Sequence, residues 1–506
     1  MIQHLQRLAS RPSLLLGLTS LLLHAMANGH YGFFRDELYF IVSGMRPDWG
    51  YVDQPSVVPL LAAGSHALFG DFLWGFRLLP ALVMTATVAL TSEFTRAIGG
   101  GRYAQWLAGV CALLAPIFLI QGVLFSTDMF QPLTWLGLGW ILVRLEQSGD
   151  ERWWLAFGAI AGFSLNTKYL IAFYLAALAV GLLLTPQRKS LLRPWIYLGA
   201  GMAFVMVLPN LLWQQSHGWP FRELGQAAFN GKNLPMSLPE FFLQQVLQTG
   251  PVAAMVWLCG LYAAIARPKL AVARAFPIAW LILMVVFDVS HGKPYYVAAI
   301  YPTLLGFGAA RIEGWTGNTL ARGAVLGVAA LQGILAAPLT LPILPVAQFI
   351  PYQKVLHVAP SVGERLSTGA LPQYYADMFG WQEMARQIAA VYLALPARDR
   401  ERAVFFGNNY GEAAAIDVFG RRLGLPPAIS GHNSYYLWGP RGHDGSVIII
   451  IGGSTAHYAE LFDSYEVVGH FTTPYAMPYE TNLPIYVLRD MKTALPMYWP
   501  QVKSYQ

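Results

Sequence analysis

The sequence predicts a polytopic α-helical membrane protein, with about eleven transmembrane helices, followed by a small α/β domain outside the bilayer. Three observations predict it. The chain of 506 residues is 55% hydrophobic and 12% charged, with a mean hydropathy of +0.44, whereas soluble domains carry about a quarter charged residues. Apolar runs of roughly 17 to 25 residues, enough to cross the hydrocarbon core, recur as far as residue 345. Beyond residue 346 no run of that length remains, and short apolar stretches alternate with Pro, Gly and polar residues. Residues 1–345 are therefore expected to form the membrane domain and 346–506 the α/β domain.

Helices are expected near 12–29, 78–95, 103–121, 129–146, 153–167, 169–185, 195–212, 245–266, 275–290, 295–310 and 323–345. The opening residues could form a cleaved signal peptide, but the apolar run continues and many spans follow, so a retained first helix is the better reading. The two spans flanking Asn166 are short and nearly contiguous, and a re-entrant pair is the alternative there. With the N-terminus inside, the inner segments hold about twice the Lys and Arg of the outer loops, as the positive-inside rule requires. Arg7 and Arg267 are among those inner cations. An odd number of spans then places the tail outside.

The net charge of +6 does not point to nucleic acid, because the cations sit in short clusters between apolar spans and form no basic face. Cys111 and Cys259 both lie within apolar spans, so neither a disulfide framework nor a cysteine metal site is expected.

In the tail, "FGWQEMARQIAAVYLALP" and "TAHYAELFDSY" have helical spacing, while "AVFF", "VIIIIGG", "YEVVGHF" and "PIYVLRD" read as strands. Strands alternating with helices favour a mostly parallel sheet covered on both faces.

The chemistry concentrates at the outward turns. The loop 30–77 opens with "YGFFRDELYFIVSGMRPDWGYVDQPSVVP", which gathers Asp36, Glu37, Asp48, Asp53, Arg35 and Arg46 among aromatic side chains. A solvated loop with incidental charges explains such letters, but long connections are often functional. Its aromatics suit the headgroup level. Asp128 in "LFSTDMFQP" stands at the outward junction of the third and fourth spans. An acid at membrane depth is a functional hypothesis by default, and an N-cap of a helix beginning at Met129 is the structural alternative. Lys168 in "SLNTKYLIAFY" either snorkels to the interface or presents a point charge to a lipid-linked phosphate. "DVSHGKPYYVAAIYP" adds His291, Lys293, Tyr295 and Tyr296 at a further outward turn.

Carboxylates on two turns and cations on two others suit sugar transfer from a polyprenyl phosphate. The leaving phosphate needs neutralisation, the incoming hydroxyl needs a carboxylate to take its proton, and the long tail needs an apolar groove. Walker, dinucleotide-glycine and HExxH motifs are absent, so nucleotide donors and zinc proteolysis have no local support.

"RDELYFIVSG" and "WGYVDQPSVVPLLAA", with "STDMF" and "TKY" following, resemble the GT-C membrane glycosyltransferases of the bacterial protein mannosyltransferase and aminoarabinose transferase type (glycosyltransferase family 39/83-like). The resemblance covers roughly residues 10 to 345. It implies a GT-C type fold, a polyprenyl-phosphate sugar donor, and a lipid, glycan or protein acceptor, with no nucleic-acid partner. It also implies a multi-pass protein of the bacterial inner membrane with its N-terminus cytoplasmic and its tail periplasmic. The first-loop acid that is the family's candidate base matches Asp36, the acid before the Pro matches Asp53, and the acid after the third span matches Asp128. Two departures stand out: Pro55-Ser56 replaces a Pro-Pro pair, and Gln54 stands where the lipid-modifying branch tends to carry Lys, which argues against aminoarabinose as the sugar.

The resulting expectation is a transferase with Asp36 and Asp128 catalytic. Glu37, Asp53, Gln54, Lys168, His291, Lys293, Tyr295 and Tyr296 are expected to hold substrate. No cofactor is certain, and Asp53 and Asp128 could position acceptor or sugar hydroxyls or a divalent ion. A transporter or lipid flippase would also use intramembrane charges, but it favours paired broken helices near mid-membrane. A receptor built on the tail is a third reading. In the tail, Asn408, Asn409, Glu412, His432, Asn433, Tyr435 and Trp438 suit carbohydrate, while Gly-Asn turns explain the same letters. "IIIIGGST" reads as a strand-helix turn rather than a phosphate cradle.

Overall fold

The computed structural model describes residues 11–266, 268–360 and 367–506; Arg7 and Arg267 lie outside them. Each of the eleven expected segments contains a helix, though several boundaries move. The third breaks at Ala115, before Pro116, because proline lacks the N–H that a continuous helix requires. The fourth starts at Gln131, two residues later than expected. The segment 295–310 begins as a 3-10 turn over Pro294–Ile300 and becomes α-helical at Tyr301.

By length and apolarity alone, four helices among the described residues can cross a membrane, or six if each of two bent pairs counts as one span. The remainder are shorter, for example Trp153–Leu165 next to Asn166. The pairs Ile171–Leu183 with Pro186–Leu192 and Leu238–Thr249 with Pro251–Ala266 bend by 103° and 112°.

Contacts divide the chain into two compact units. The first contains residues 1–30, 71–213 and 233–349. Its helices Pro251–Ala266 and Tyr301–Trp315 touch backbone to backbone: a Cβ at Gly260 would strike the Leu304 carbonyl and one at Gly308 the Val256 carbonyl. Small residues permit this approach, which dispersion then stabilises where no hydrophobic drive exists between helices in lipid.

The second unit contains residues 31–70, 214–232 and 350–506, so the first loop clusters with the tail. Its sheet comprises β1 (Ala403–Gly407), β2 (Ile429–Ser430), β3 (Val447–Ile451), β4 (Phe462–Phe471) and β5 (Leu483–Met491), in the order β2-β1-β3-β5-β4. β1 pairs parallel with β2 and β3, but β5 runs antiparallel to both β3 and β4. The expected mostly parallel sheet is thus a mixed one. The physical reason is the connection: the segment between Phe471 and Leu483 holds one 3-10 turn, Pro478–Glu480, and no α-helix, whereas a parallel pair needs a crossover of a dozen or more residues, usually an α-helix.

Val404, Ile448, Ile450, Tyr486 and Leu488 build a core on one sheet face with Tyr458 and Trp499, while Phe405, Ile449 and Val487 are buried as well. This two-sided burial matches the unbroken apolar runs. Helix Tyr410–Phe419, inside the stretch read for carbohydrate contact, packs on Arg35–Gly44 of the first loop. Gly452 and Gly453 turn the chain at φ of 75° and 85°, and Tyr458 donates to the Gly452 carbonyl. "IIIIGGST" is therefore a packed strand-helix turn.

Candidate active site

In the second unit, Asp36 lies in the first turn of Arg35–Gly44. Its Oδ1 accepts a 2.7 Å hydrogen bond from the Tyr410 hydroxyl. The Arg35 guanidinium stands 3.6 Å from the same oxygen and 3.7 Å from Asp377, with Nη1 donating to Tyr479 at 2.8 Å. It also lies over the Tyr410 ring. Gly411 permits this, since a Cβ there would meet the Arg35 side chain. One third of the Asp36 side chain remains exposed. A carboxylate held by a phenol and an arginine, yet open on one side, is placed to accept a proton.

Glu37 does something else. It is fully buried, and its Oε2 accepts from the Phe34 N–H at 2.8 Å, satisfying the N-cap N–H of its own helix. This bond ties one Glu37 oxygen to the start of its own helix.

Asp53 lies within the tight turn closed by the Gly50–Pro55 bridge. Tyr39 donates to its Oδ1 at 2.9 Å, and Ser434 lies 2.7 Å from the Tyr39 hydroxyl. The Ser434 hydroxyl also receives the Val52 N–H. Burial, with a contribution from the nearby Asp36, pushes the Asp53 carboxyl up to about 6, while the Tyr39 hydrogen bond and Lys232 oppose the rise. Gln54 is buried, and neither atom of its amide has a hydrogen-bond partner among the described residues. Such a group is costly unless something else satisfies it.

The remaining expected residues fall in the first unit. Asp128 and Lys168 form an ion pair with 2.6 and 2.7 Å contacts, both side chains being four-fifths or more buried. The lysine is thus held by an acid 40 positions away and does not snorkel. The N-cap reading of Ser126, Thr127 or Asp128 fails as well: the helix starts at Gln131 after Phe130, without a side-chain cap. The Lys168 ammonium also lies 5.0 Å from the Tyr296 ring and 5.7 Å from that of Tyr295, a favourable cation–π arrangement. His291 adopts a φ of 51°, and its carbonyl accepts from Asn233 at 2.8 Å. Lys293 is half-buried at the start of Pro294–Ile300.

Among the described residues, no group of three or more His, Cys, Asp or Glu is arranged to hold a metal ion. Asp53 and Asp128, the acids considered for one, are engaged by Tyr39 and Lys168, so no step is derived through a metal.

Most tail residues read for carbohydrate are committed internally. Asn409 caps Tyr410–Phe419, and its Nδ2 donates to both Glu412 and Glu480. Burial raises both of these carboxyls. His432 accepts from the Tyr410 N–H, while Tyr435 donates to Asp417. Sequence reasoning missed the tail side chains that meet the first loop, Tyr410 on Asp36, Ser434 on Tyr39 and Asp377 on Arg35; nothing in their local spacing marks them.

The family model for dolichyl-phosphate-mannose-protein mannosyltransferase matches residues 53–213. The lipid A galacturonosyltransferase RgtD of Rhizobium johnstonii is 25% identical over 274 residues, covering 52% of this chain and 56% of that protein. The polyprenol-phosphate-mannose–protein mannosyltransferase of Corynebacterium glutamicum is 23% identical over 154 residues, covering 26% and 30%. The chain thus spans about half or less of the length of the curated relatives it matches. The crystal structure of ArnT from Cupriavidus metallidurans bound to undecaprenyl phosphate superimposes with a TM-score of 0.62 at 15% identity, over 94% of this chain and 97% of ArnT. The apo state of that protein gives 0.60. The chain has the fold of that polytopic protein, with a small sheet domain towards its C-terminus.

Proposed function

We propose that this GT-C chain transfers a single sugar from a polyprenyl-phosphate donor to a hydroxyl of an envelope acceptor, which is a lipid, a glycan or a protein. The names of its relatives support the reading, since they specify galacturonosyl transfer to lipid A and mannosyl transfer to protein from polyprenol phosphate. So does the undecaprenyl phosphate in the ArnT structure of the same fold. The observation that carries it is Asp36, fixed by Tyr410 and Arg35 and still partly open.

In this reading Asp36 is the general base. Its Oδ1 is occupied by the Tyr410 hydroxyl, leaving Oδ2 to take the acceptor proton as the hydroxyl attacks the anomeric carbon. Asp53, positioned by Tyr39, and the unpartnered Gln54 amide hold sugar hydroxyls. Lys168 neutralises the departing phosphate. Asp128 keeps its ammonium in place beforehand and Tyr295 and Tyr296 line it, with His291 and Lys293 on the same turn. The first loop, residues 30–77, and the tail, 346–506, lie on the periplasmic face of a bacterial inner membrane, and the rest of 1–345 is the membrane part with its N-terminus cytoplasmic.

Mass spectrometry of envelope lipids, glycans and proteins from cells carrying the parental chain or Asp36→Asn tests the activity. A hexose- or pentose-bearing species present with the first and absent with the second is the expected result, and identical envelopes would refute it. For orientation, a cysteine replacing the exposed Arg398 should react with an impermeant maleimide in spheroplasts; protection until lysis would place the tail inside.

A further inference from the structure

Two guanidinium groups in the second unit converge on one aromatic ring. Arg46, at the end of the first-loop helix, lies 4.8 Å from the Trp438 ring centroid, and Arg441 lies 5.7 Å from the same ring and 5.3 Å from that of Tyr435. Asp417 is the acid that accompanies them: it pairs with Arg441 Nη1 at 3.2 Å and also accepts from the Tyr435 hydroxyl and the Ala428 N–H. Arg441 is nine-tenths buried, and its Nε and Nη2 have no hydrogen-bond partner among the described residues. Among the described residues Arg46 has no ion pair; Asp48, two positions on, accepts at Oδ1 from the Trp49 N–H.

Like charges held this close repel, and a buried charged donor without an acceptor is costly. Burial and the proximity of Arg441 accordingly lower the proton affinity of Arg46. A site with two cations, one acid and unfilled donors is completed by an anion. Guanidinium is also the cation best matched to phosphate, because its fork of N–H groups meets two oxygens at once.

We propose that Arg46 and Arg441, framed by Trp438, form a binding site for a phosphate group carried by the acceptor. Arg46 makes the direct contact and Arg441 supplies the second charge from beneath. This deepens the transferase reading and rests on it for the word acceptor: Arg46 lies ten positions after the proposed base along a largely helical segment, about 15 Å at the helical rise, so a phosphate held here tethers the acceptor at that distance from Asp36.

The test is binding, measured without donor. The full chain, purified in neutral detergent, is titrated with lysophosphatidic acid, with lysophosphatidylcholine as the lipid lacking a free phosphate monoester, and with inorganic phosphate. Isothermal calorimetry reads each. Preference for lysophosphatidic acid over both others is expected, weakened about tenfold or more in Arg46→Gln, the loss of one charge-assisted contact. Arg441→Lys, which keeps the Asp417 pair, should weaken it less, and Arg398→Gln, an exposed arginine elsewhere, should leave it intact. Equal binding by the parental chain and Arg46→Gln would overturn the site. Tighter binding of inorganic phosphate than of the lipid would overturn its assignment to the acceptor. If the proposed transfer fails, this binding can still be found; if binding fails while transfer persists, only the present proposal falls.

Discussion

The Tyr410 hydroxyl donates a 2.7 Å hydrogen bond to Asp36 across 374 positions of sequence. A residue of the α/β tail therefore holds the side chain of a first-loop acid. Replacing Asp36 by Asn keeps the shape and removes the base, so transfer should fall by about 10² to 10⁴. Tyr410→Phe removes one hydrogen bond and should lower kcat by less, with KM little changed. Glu37→Gln should retain transfer, because an amide oxygen can still accept from Phe34. Steady-state kinetics on purified variants checks the order, and a dead Glu37→Gln beside an active Asp36→Asn would reassign the base.

The Asp53 carboxyl, raised by burial from 3.8 to about 6, gives a pH dependence with a defined sign. Between those values the folded chain binds a proton that the unfolded chain has released, so this group's contribution to stability falls as pH rises from about 4 to about 6 and is level above. If ionised Asp53 holds the sugar, activity should rise through pH 6. The Tyr39 hydrogen bond favours the carboxylate, so Tyr39→Phe should move that acid limb to higher pH. A limb that stays in place in the variant would show that it belongs to another group.

Breaking the Asp128–Lys168 pair from one side leaves a mostly buried charge, worth up to about 3 to 5 kcal/mol and less where solvent reaches it. Lys168→Met alone should therefore destabilise the chain. Adding Asp128→Asn should restore much of that loss, because no unpaired charge remains. Donor binding separates structure from function: it should stay weak in the stabilised double variant. Recovery of donor affinity together with melting temperature would make the pair purely structural.

Gln54 leads to an opposite pair of effects. Its buried amide has no partner, and removing such a group relieves about 1 to 3 kcal/mol. Gln54→Met should raise the melting temperature while weakening substrate affinity. A variant that is stabilised with unchanged KM would remove Gln54 from the site.

How much of the site was legible depends on the distance over which each residue acts. Asp36 and Asp53 were visible because their motif is local and their loop is long. The Glu37 bond to the Phe34 N–H was not legible, because a capping box is marked by Ser or Thr at the first position and Phe34 stands there instead. The Lys168–Asp128 pair was not legible, since complementary charges 40 positions apart carry no mark in the sequence that they meet. The mixed sheet was misread because strand direction depends on whether the chain crosses over or turns back, and the β4–β5 connection carries no strong turn signal.

The sequence by itself determined the membrane class, the helical segments and the apolar strands of the tail, because burial in lipid or in a core constrains composition residue by residue. It also determined which loop carries the acids. Only the tertiary structure decided which acids are engaged and by what: Tyr410 on Asp36, Tyr39 and Ser434 at Asp53, Lys168 on Asp128, Asn409 between Glu412 and Glu480, and two arginines on Trp438. Hydrogen bonds and ion pairs act over a few ångströms, and the fold alone sets which residues come within that reach.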